Sequence, residues 1–167
     1  YGAGAADNAV AAFYRDPSSG LLTFVEVSKN DVDGVLGLEE PKSIAISPDG
    51  KHLYSAAYQS DAIGLFERNE SNGTLTYIDH YQDAVGGIDG INGAISVIVS
   101  PDGNHVYAAG YIDDAISVFA RDSSSGVLTF VEVQKHNVDG VSGLWRVRAV
   151  EITPDGSHVY AASWKGD

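Results

Sequence analysis

Ser47-Pro48-Asp49-Gly50-Lys51-His52-Leu53-Tyr54 is the stretch on which the fold turns. It returns as Ser100–Tyr107 (SPDGNHVY) and again as Thr153–Tyr160 (TPDGSHVY). Pro presets φ for a tight turn, Asp bonds the backbone two residues on, and Gly accepts a positive φ. A short β-branched run precedes each turn (Ile44–Ser47, Val97–Ser100, Val150–Thr153) and a second apolar run follows it (His52–Tyr58, His105–Tyr111, His158–Trp164). A run, a tight turn and a second run make a β-hairpin, and the chain uses it three times.

The hairpin is part of a longer unit. Tyr1, Tyr54, Tyr107 and Tyr160 stand 53 residues apart. Phe13, Phe66 and Phe119 keep that spacing, as do Arg15, Arg68 and Arg121, and Gly20, Gly73 and Gly126. One period divides into four strands: a (Ser43–Ser47), b (His52–Tyr58), c (Ala62–Glu67) and d (Leu75–Tyr81). An Arg-Asp/Asn-x-Ser-x-Gly turn joins c to d. The runs are short, rich in Val, Ile, Phe, Tyr and Thr, and bounded by Gly, Pro, Asp and Ser; none sustains a helical apolar period.

Four short antiparallel strands in a repeat of this length describe a propeller blade, a unit too thin to fold alone that buries its faces against its neighbours. The expected fold is all-β: one domain over 1–167, with repeats 1–53, 54–106 and 107–159 and a partial repeat 160–167. Three blades fall below the usual four to eight. The chain is therefore expected to be a segment of a larger ring, its end blades completed by the rest of a longer propeller or by head-to-tail self-assembly.

Composition narrows the partners. Ten Lys and Arg against 23 Asp and Glu leave a formal net charge of −13. Such a surface repels phosphate backbones and anionic lipid, so nucleic acid is not expected as a partner; no apolar run approaches the ~18 residues of a spanning helix, so membrane insertion is not expected either. There is no Cys, which removes disulfides and thiolate metal sites.

The units SPDGxHxY, DAIxxF and RDxSSGxLTF resemble the YVTN-type, lactonase-like β-propeller family, and the resemblance covers the whole chain. It implies a ring of seven blades and, because the family holds enzymes, surface-layer modules and binding scaffolds, leaves the function to the site.

Strand direction puts the b–c and d–a loops on one rim, and the a–b and c–d turns on the other. The turn rim repeats from blade to blade and reads as structure; the loop rim varies. Its b–c position holds Ala5, Tyr58, Tyr111 and Trp164, and the d–a loop ends in Glu39-Glu40-Pro41-Lys42, then Asn92-Gly93-Ala94-Ile95, then Trp145-Arg146-Val147-Arg148. Those ends lead into the innermost strand and should approach the channel mouth. Tyr58, Tyr111, Trp164, Trp145, Arg146, Arg148, Glu39 and Lys42 are the candidate ligand-binding residues, suited to a glycan or protein ligand; the competing reading has the aromatics capping blade cores and the charges solvated.

Asp31-Val32-Asp33-Gly34 and Asn137-Val138-Asp139-Gly140 pair two oxygen ligands with a turn Gly, as calcium loops do, but lack the further acids of an EF-hand loop. A Gly-terminated turn is the leading reading. Calcium at Asp31, Asp33, Asn137 and Asp139 is the alternative, and no other cofactor is expected. Glu151 replaces the apolar Ala45 and Ile98 in strand a, so a buried carboxylate paired with Arg146 or Arg148 is expected. The leading function is a non-enzymatic binding or scaffold module that is extracellular, cell-surface or periplasmic, with no catalytic residue. The alternative, implied by the resemblance, is a lactonase or cycloisomerase acting on a small carbohydrate or organic acid at the central channel, with Glu151, Arg146 and Arg148 as its catalytic set.

Overall fold

Every tight turn in the sequence becomes a strand connection. The structure is a computed structural model and describes residues 1–164. Thirteen strands and no helix occur among the described residues. The first sheet holds β1 (Gly2–Gly4), β2 (Ala9–Arg15) and β3 (Leu22–Lys29). The second runs β4 (Pro41–Ile46), β5 (His52–Ala57), β6 (Ala62–Arg68) and β7 (Leu75–Gln82). The third repeats it as β8 (Ala94–Val99), β9 (His105–Gly110), β10 (Ala115–Arg121) and β11 (Leu128–Lys135). The fourth holds β12 (Val147–Ile152) and β13 (Val159–Ser163). All pairings are antiparallel between sequence neighbours, as propeller blades require.

The sheets stack face to face, with the first strands β4, β8 and β12 against one another, and are therefore radial blades. Each apolar cluster lies between two blades. Val10 of the first meets Leu38, Leu53 and Phe66 of the second. Tyr54, Ile63 and Leu65 of the second meet Ile91, Val97 and Phe119 of the third. Ala109 of the third, with Ile98 beside it, meets Leu144, Val147 and Val150 of the fourth. Burying each large side chain contributes roughly 1.5–3 kcal/mol, so stability resides in the contacts between blades. The small Ala56 and Ala57, fully buried on β5, let the neighbouring sheet approach.

Strand a begins two residues earlier than its composition suggests. Pro41 pairs with Ala57 and Ser43 with Ala56, so Lys42 is bulged out of the register. The same shift falls at Ile95 in β8 and at Arg148 in β12. A bulge bends its strand and re-aims a side chain, and here it does so at the inner end of every blade.

The turn rim is held by a repeated latch. Arg121 donates from Nε to Tyr54 Oη of the preceding blade (2.9 Å), from Nη1 to the Gly103 carbonyl (2.8 Å) and from Nη2 to Asp49 Oδ2 (2.9 Å). Tyr54 Oη donates onward to the Gly126 carbonyl (2.7 Å). One blade earlier, Arg68 meets Tyr1 Oη (3.0 Å) and the Gly50 carbonyl (3.0 Å), while Tyr1 donates to Gly73 (2.6 Å). The pattern explains why Tyr, Arg and both turn glycines recur at one spacing. Burial pushes the Tyr54 phenol up to about 12. Burial also opposes the charge on Asp49, but the Ser47 hydroxyl, Arg121 and the Lys51 N–H outweigh it and hold the carboxyl well below its usual range. His52 Nδ1 lies 2.8 Å from Arg121 Nη2, and His158 Nδ1 2.7 Å from Ser157 Oγ, so these imidazoles belong to the turn rim.

Candidate functional site

The loop rim is built on a different repeated device. Asn8, Asp61 and Asp114, each with a left-handed backbone (φ 51°, 51° and 53°), sit in the b–c turns. Their Oδ1 atoms accept the N–H of Glu40 (2.9 Å), Gly93 (2.7 Å) and Arg146 (2.6 Å) in the next blade. The carbonyls of those three residues in turn accept the N–H of Tyr58 (3.0 Å), Tyr111 (3.1 Å) and Trp164 (3.4 Å). Residues 40, 93 and 146 are thus pinned at both backbone groups and share a left-handed conformation (φ 56°, 66° and 49°). For a side-chain-bearing residue that region costs about 1–2 kcal/mol, and such local strain gathers at functional positions. At Gly93 it also leaves room: a Cβ there would stand 2.9 Å from Ile112 and 3.1 Å from Tyr58.

The side chains projecting from this frame converge. The Tyr58 and Tyr111 rings are 6.0 Å apart, centroid to centroid. Arg146 Nη1 donates to Tyr111 Oη at 2.8 Å, and its guanidinium carbon lies 5.3 Å from the Tyr111 ring. Arg148, turned out by its bulge, lies 4.1 Å from the Trp164 ring centroid and 5.4 Å from that of Tyr111. Aromatic faces attract a guanidinium and leave its edge N–H groups for a planar oxyanion. The Arg146 hydrogen bond, then the pull of Arg148, holds the Tyr111 phenol below its usual range. A cleft of about 260 Å³ opens here, walled by Tyr58, Tyr111, Ile112, Asp114, Trp145 and Arg146. A second, of about 250 Å³, adjoins it between Tyr111, Trp145, Arg146 and Trp164.

Of the candidate ligand-binding residues, Tyr58, Tyr111, Trp145, Arg146, Arg148 and Trp164 are brought together. Lys42 lies 5.8 Å from the Tyr58 ring centroid, but its charge is matched by Glu40 at 2.6 Å. Glu39 stands apart: its N–H is bound by Ser60 Oγ, and it lines another cleft with Gln59 and His80. Glu151 corrects the sequence reading. Val150 packs into the core against the third sheet, so Glu151, next along the strand, faces the other way, on the side of the fourth sheet where its equivalent Ile98 in the third meets the following blade. The bulge sends Arg148 to the rim, and among the described residues no ion pair joins Glu151 to either arginine. Asp114 was the residue missed; its signal is the constant Asn8/Asp61/Asp114 position of the repeat.

The Asp31 and Asn137 loops close as turns, with Asp31 N–H bound by Val35 (2.8 Å) and Asn137 N–H by Val141 (2.9 Å). The middle blade makes the same turn through Ala84 and Ile88 (3.0 Å) without the acidic pair, so the carboxylates are not what closes it. Asp83, Asp89 and Asp113 bring carboxylate oxygens within 4.8 Å of one another. Lys135 Nζ reaches Asp89 at 2.7 Å, while Asp83 and Asp113 accept the N–H groups of Ile91 and Asn92, all of which tie the loop down.

Comparison with known proteins bears on all of this. The family described as lactonase, 7-bladed beta-propeller matches residues 2–88 and 76–167. A proposed 6-phosphogluconolactonase from Bacteroides uniformis superposes with a TM-score of 0.73 at 24% identity, over 95% of this chain and 42% of that one, a likeness of fold. The periplasmic gluconolactonase of Pseudomonas aeruginosa gives 0.61 at 29% identity, over 74% and 32%. A manganese-binding lipoprotein of Halalkalibacterium halodurans is 31% identical over 116 residues, 64% of this chain and 37% of its own. The chain thus spans between about a third and two fifths of the length of these relatives. The expectation of a non-enzymatic binding or scaffold module is overturned by the family match and the gluconolactonase likeness, which favour the enzyme alternative. On a match that runs almost from end to end, the chain belongs to the seven-bladed β-propeller lactonase family.

Proposed function

We propose that the protein opens the ring of a sugar lactone, with the substrate seated at the loop rim between Tyr58, Tyr111 and Trp145 and its carbonyl facing Arg146 and Arg148. The observation that carries this reading is the pair of guanidinium groups held over aromatic rings beside a cleft, without a carboxylate partner among the described residues. In a chain of net charge −13, two such cations on one loop mark a place for negative charge. Lactone hydrolysis develops that charge on the carbonyl oxygen, and preorganised donors aimed at it lower the barrier. The aromatic walls suit the apolar face of a sugar ring. Sugar lactones are the class named for the Pseudomonas aeruginosa relative. A site outside the cytoplasm agrees with that relative's periplasmic location and with the lipoprotein relative.

The test is proton release in a pH-stat from glucono-1,5-lactone, with the intact protein. Saturable turnover is expected, and Arg146→Ala or Arg148→Ala should each lower kcat/KM by roughly 10²-fold, the scale of one lost oxyanion donor. No acceleration over spontaneous hydrolysis would overturn the reading.

A further inference from the structure

We propose that Tyr111 is the general acid of this ring opening, donating its hydroxyl proton to the ring oxygen of the lactone, with Arg146 as its positioning residue. The inference rests on the lactonase reading above and assigns a role that reading leaves open.

The geometry is specific to one blade. Arg146 Nη1 donates to Tyr111 Oη at 2.8 Å, so the hydroxyl accepts on that side and its own proton is left for another acceptor. Among the described residues none takes it, and the hydroxyl borders the cleft of about 260 Å³. The repeat supplies an internal control. Tyr58 stands at the equivalent place one blade earlier, but the positions that bring Arg146 and Arg148 to Tyr111 are there Gly93 and Ile95. The cationic setting was therefore built around Tyr111 alone. The charged and titratable groups that face it are Arg146 and Arg148 from the next blade, Tyr58 from the preceding one, and Asp114 from its own turn. Lys42 lies beyond Tyr58 and is matched by Glu40. Asp114 is held through Oδ1 by the Arg146 N–H, and of the two phenols that line the cleft Tyr111 is the one with a guanidinium on its oxygen.

The step balances with water as the only other reactant. The oxygen of water bonds to the acyl carbon and the carbonyl π pair moves onto its oxygen, facing the guanidinium groups. When that pair returns, the bond from acyl carbon to ring oxygen breaks and its electrons stay on the ring oxygen. The departing alkoxide takes the Tyr111 proton. The phenolate is held by Arg146 and Arg148 and regains a proton from the water that attacked, giving the hydroxy acid. Two neighbouring cations favour the phenolate, in line with the lowered pKa of this phenol, and an acid whose conjugate base is stabilised suits a poor leaving group.

The leaving group is the probe. With glucono-1,5-lactone, an alkoxide leaving group, Tyr111→Phe should lower kcat by roughly 10²–10⁴-fold while KM moves little. With dihydrocoumarin, whose phenolate departs without a proton, the same variant should lose less than about tenfold. The wild-type profile on gluconolactone should fall on the alkaline side as Tyr111 ionises. Tyr111→Phe should lack that limb, and Arg146→Gln should move it to higher pH. Equal losses on the two lactones, or an alkaline limb that survives in Tyr111→Phe, would overturn the proposal while leaving the lactonase reading intact. If dihydrocoumarin is not turned over, the alkaline limb decides. A wild-type protein that opens neither lactone removes both readings.

Discussion

The two rims of the blade stack use the same backbone for opposite purposes. On the turn rim the residues repeat, the side chains are sunk between blades, and the arginines are taken up by the latch: Arg121 by Tyr54, Gly103 and Asp49, and Arg68 by Tyr1 and Gly50. On the loop rim the backbone contacts repeat but the side chains do not. Asn8, Asp61 and Asp114 cap Glu40, Gly93 and Arg146 in turn, so an acid, no side chain and a cation occupy one aimed position. A repeat protein can thus vary one rim for chemistry while the other keeps the blades in register, because the latch and the cap lie at opposite ends of each strand.

The largest effect should come from breaking the latch. Arg121→Ala leaves Asp49, the Tyr54 hydroxyl and the Gly103 carbonyl without their partner. Loss of stability of about 3 kcal/mol is expected in urea unfolding, the low end for a broken buried pair because Asp49 is partly exposed. Arg148→Ala, on the loop rim, should cost less than about 1 kcal/mol, the scale of an exposed cation–π contact. If the two substitutions cost the same, the division between the rims fails.

Tyr54→Phe sharpens the same point with one atom. It keeps the ring in the core but removes the acceptor for Arg121 Nε and the donor to Gly126, so a cost of about 1–2 kcal/mol is expected by chemical denaturation. The phenol titration of the variant should also lack its most alkaline component, since Tyr54 is pushed up to about 12.

A smaller effect, of opposite sign, is expected on the loop rim. Arg146→Gly relieves a left-handed backbone at φ 49°, a gain of about 1–2 kcal/mol less the 0.5–1 that glycine loses in chain entropy. Stability should rise by about 0.5–1 kcal/mol while kcat/KM for lactone opening falls by roughly 10²-fold. A clear fall in the melting temperature would show that the arginine is held for packing.

The smallest effect is in the pH dependence. Burial, then the charge of Arg121, lowers the pKa of His52 from 6.5. Below pH 6.5 the unfolded chain therefore takes up a proton that the native imidazole refuses. Stability held above that pH should drain away as the pH falls from 6.5 toward the depressed native value. His52→Asn should flatten the slope of melting temperature across that window, and an unchanged slope would assign it to other groups.

Most of the architecture was legible because it rests on local chemistry. Pro-Asp-Gly can hardly be anything but a turn, and the recurrence of Tyr1, Tyr54 and Tyr107 makes each blade a copy of the next. Strands b, c and d fall within a residue of their expected bounds. Strand a starts earlier because a bulge leaves no trace in composition; it exists only where a partner strand continues past the extra residue. That bulge governs the site. Arg148 looked like a partner for Glu151 along one strand, yet the bulge and the pleat send them to different places.

The repeat, the four strands of each blade, the two rims and the aromatic and cationic residue types on one of them can all be read along the chain. Each of these follows from near neighbours in the chain or from a fixed period. Which of those residues meet is set by the stacking of the blades. Tyr111 and Arg146 are 35 positions apart and belong to different blades, and their 2.8 Å contact exists because Asp114 fixes the Arg146 backbone from across the blade boundary. A contact of that kind depends on how one sheet is stacked on the next, and no single strand encodes it.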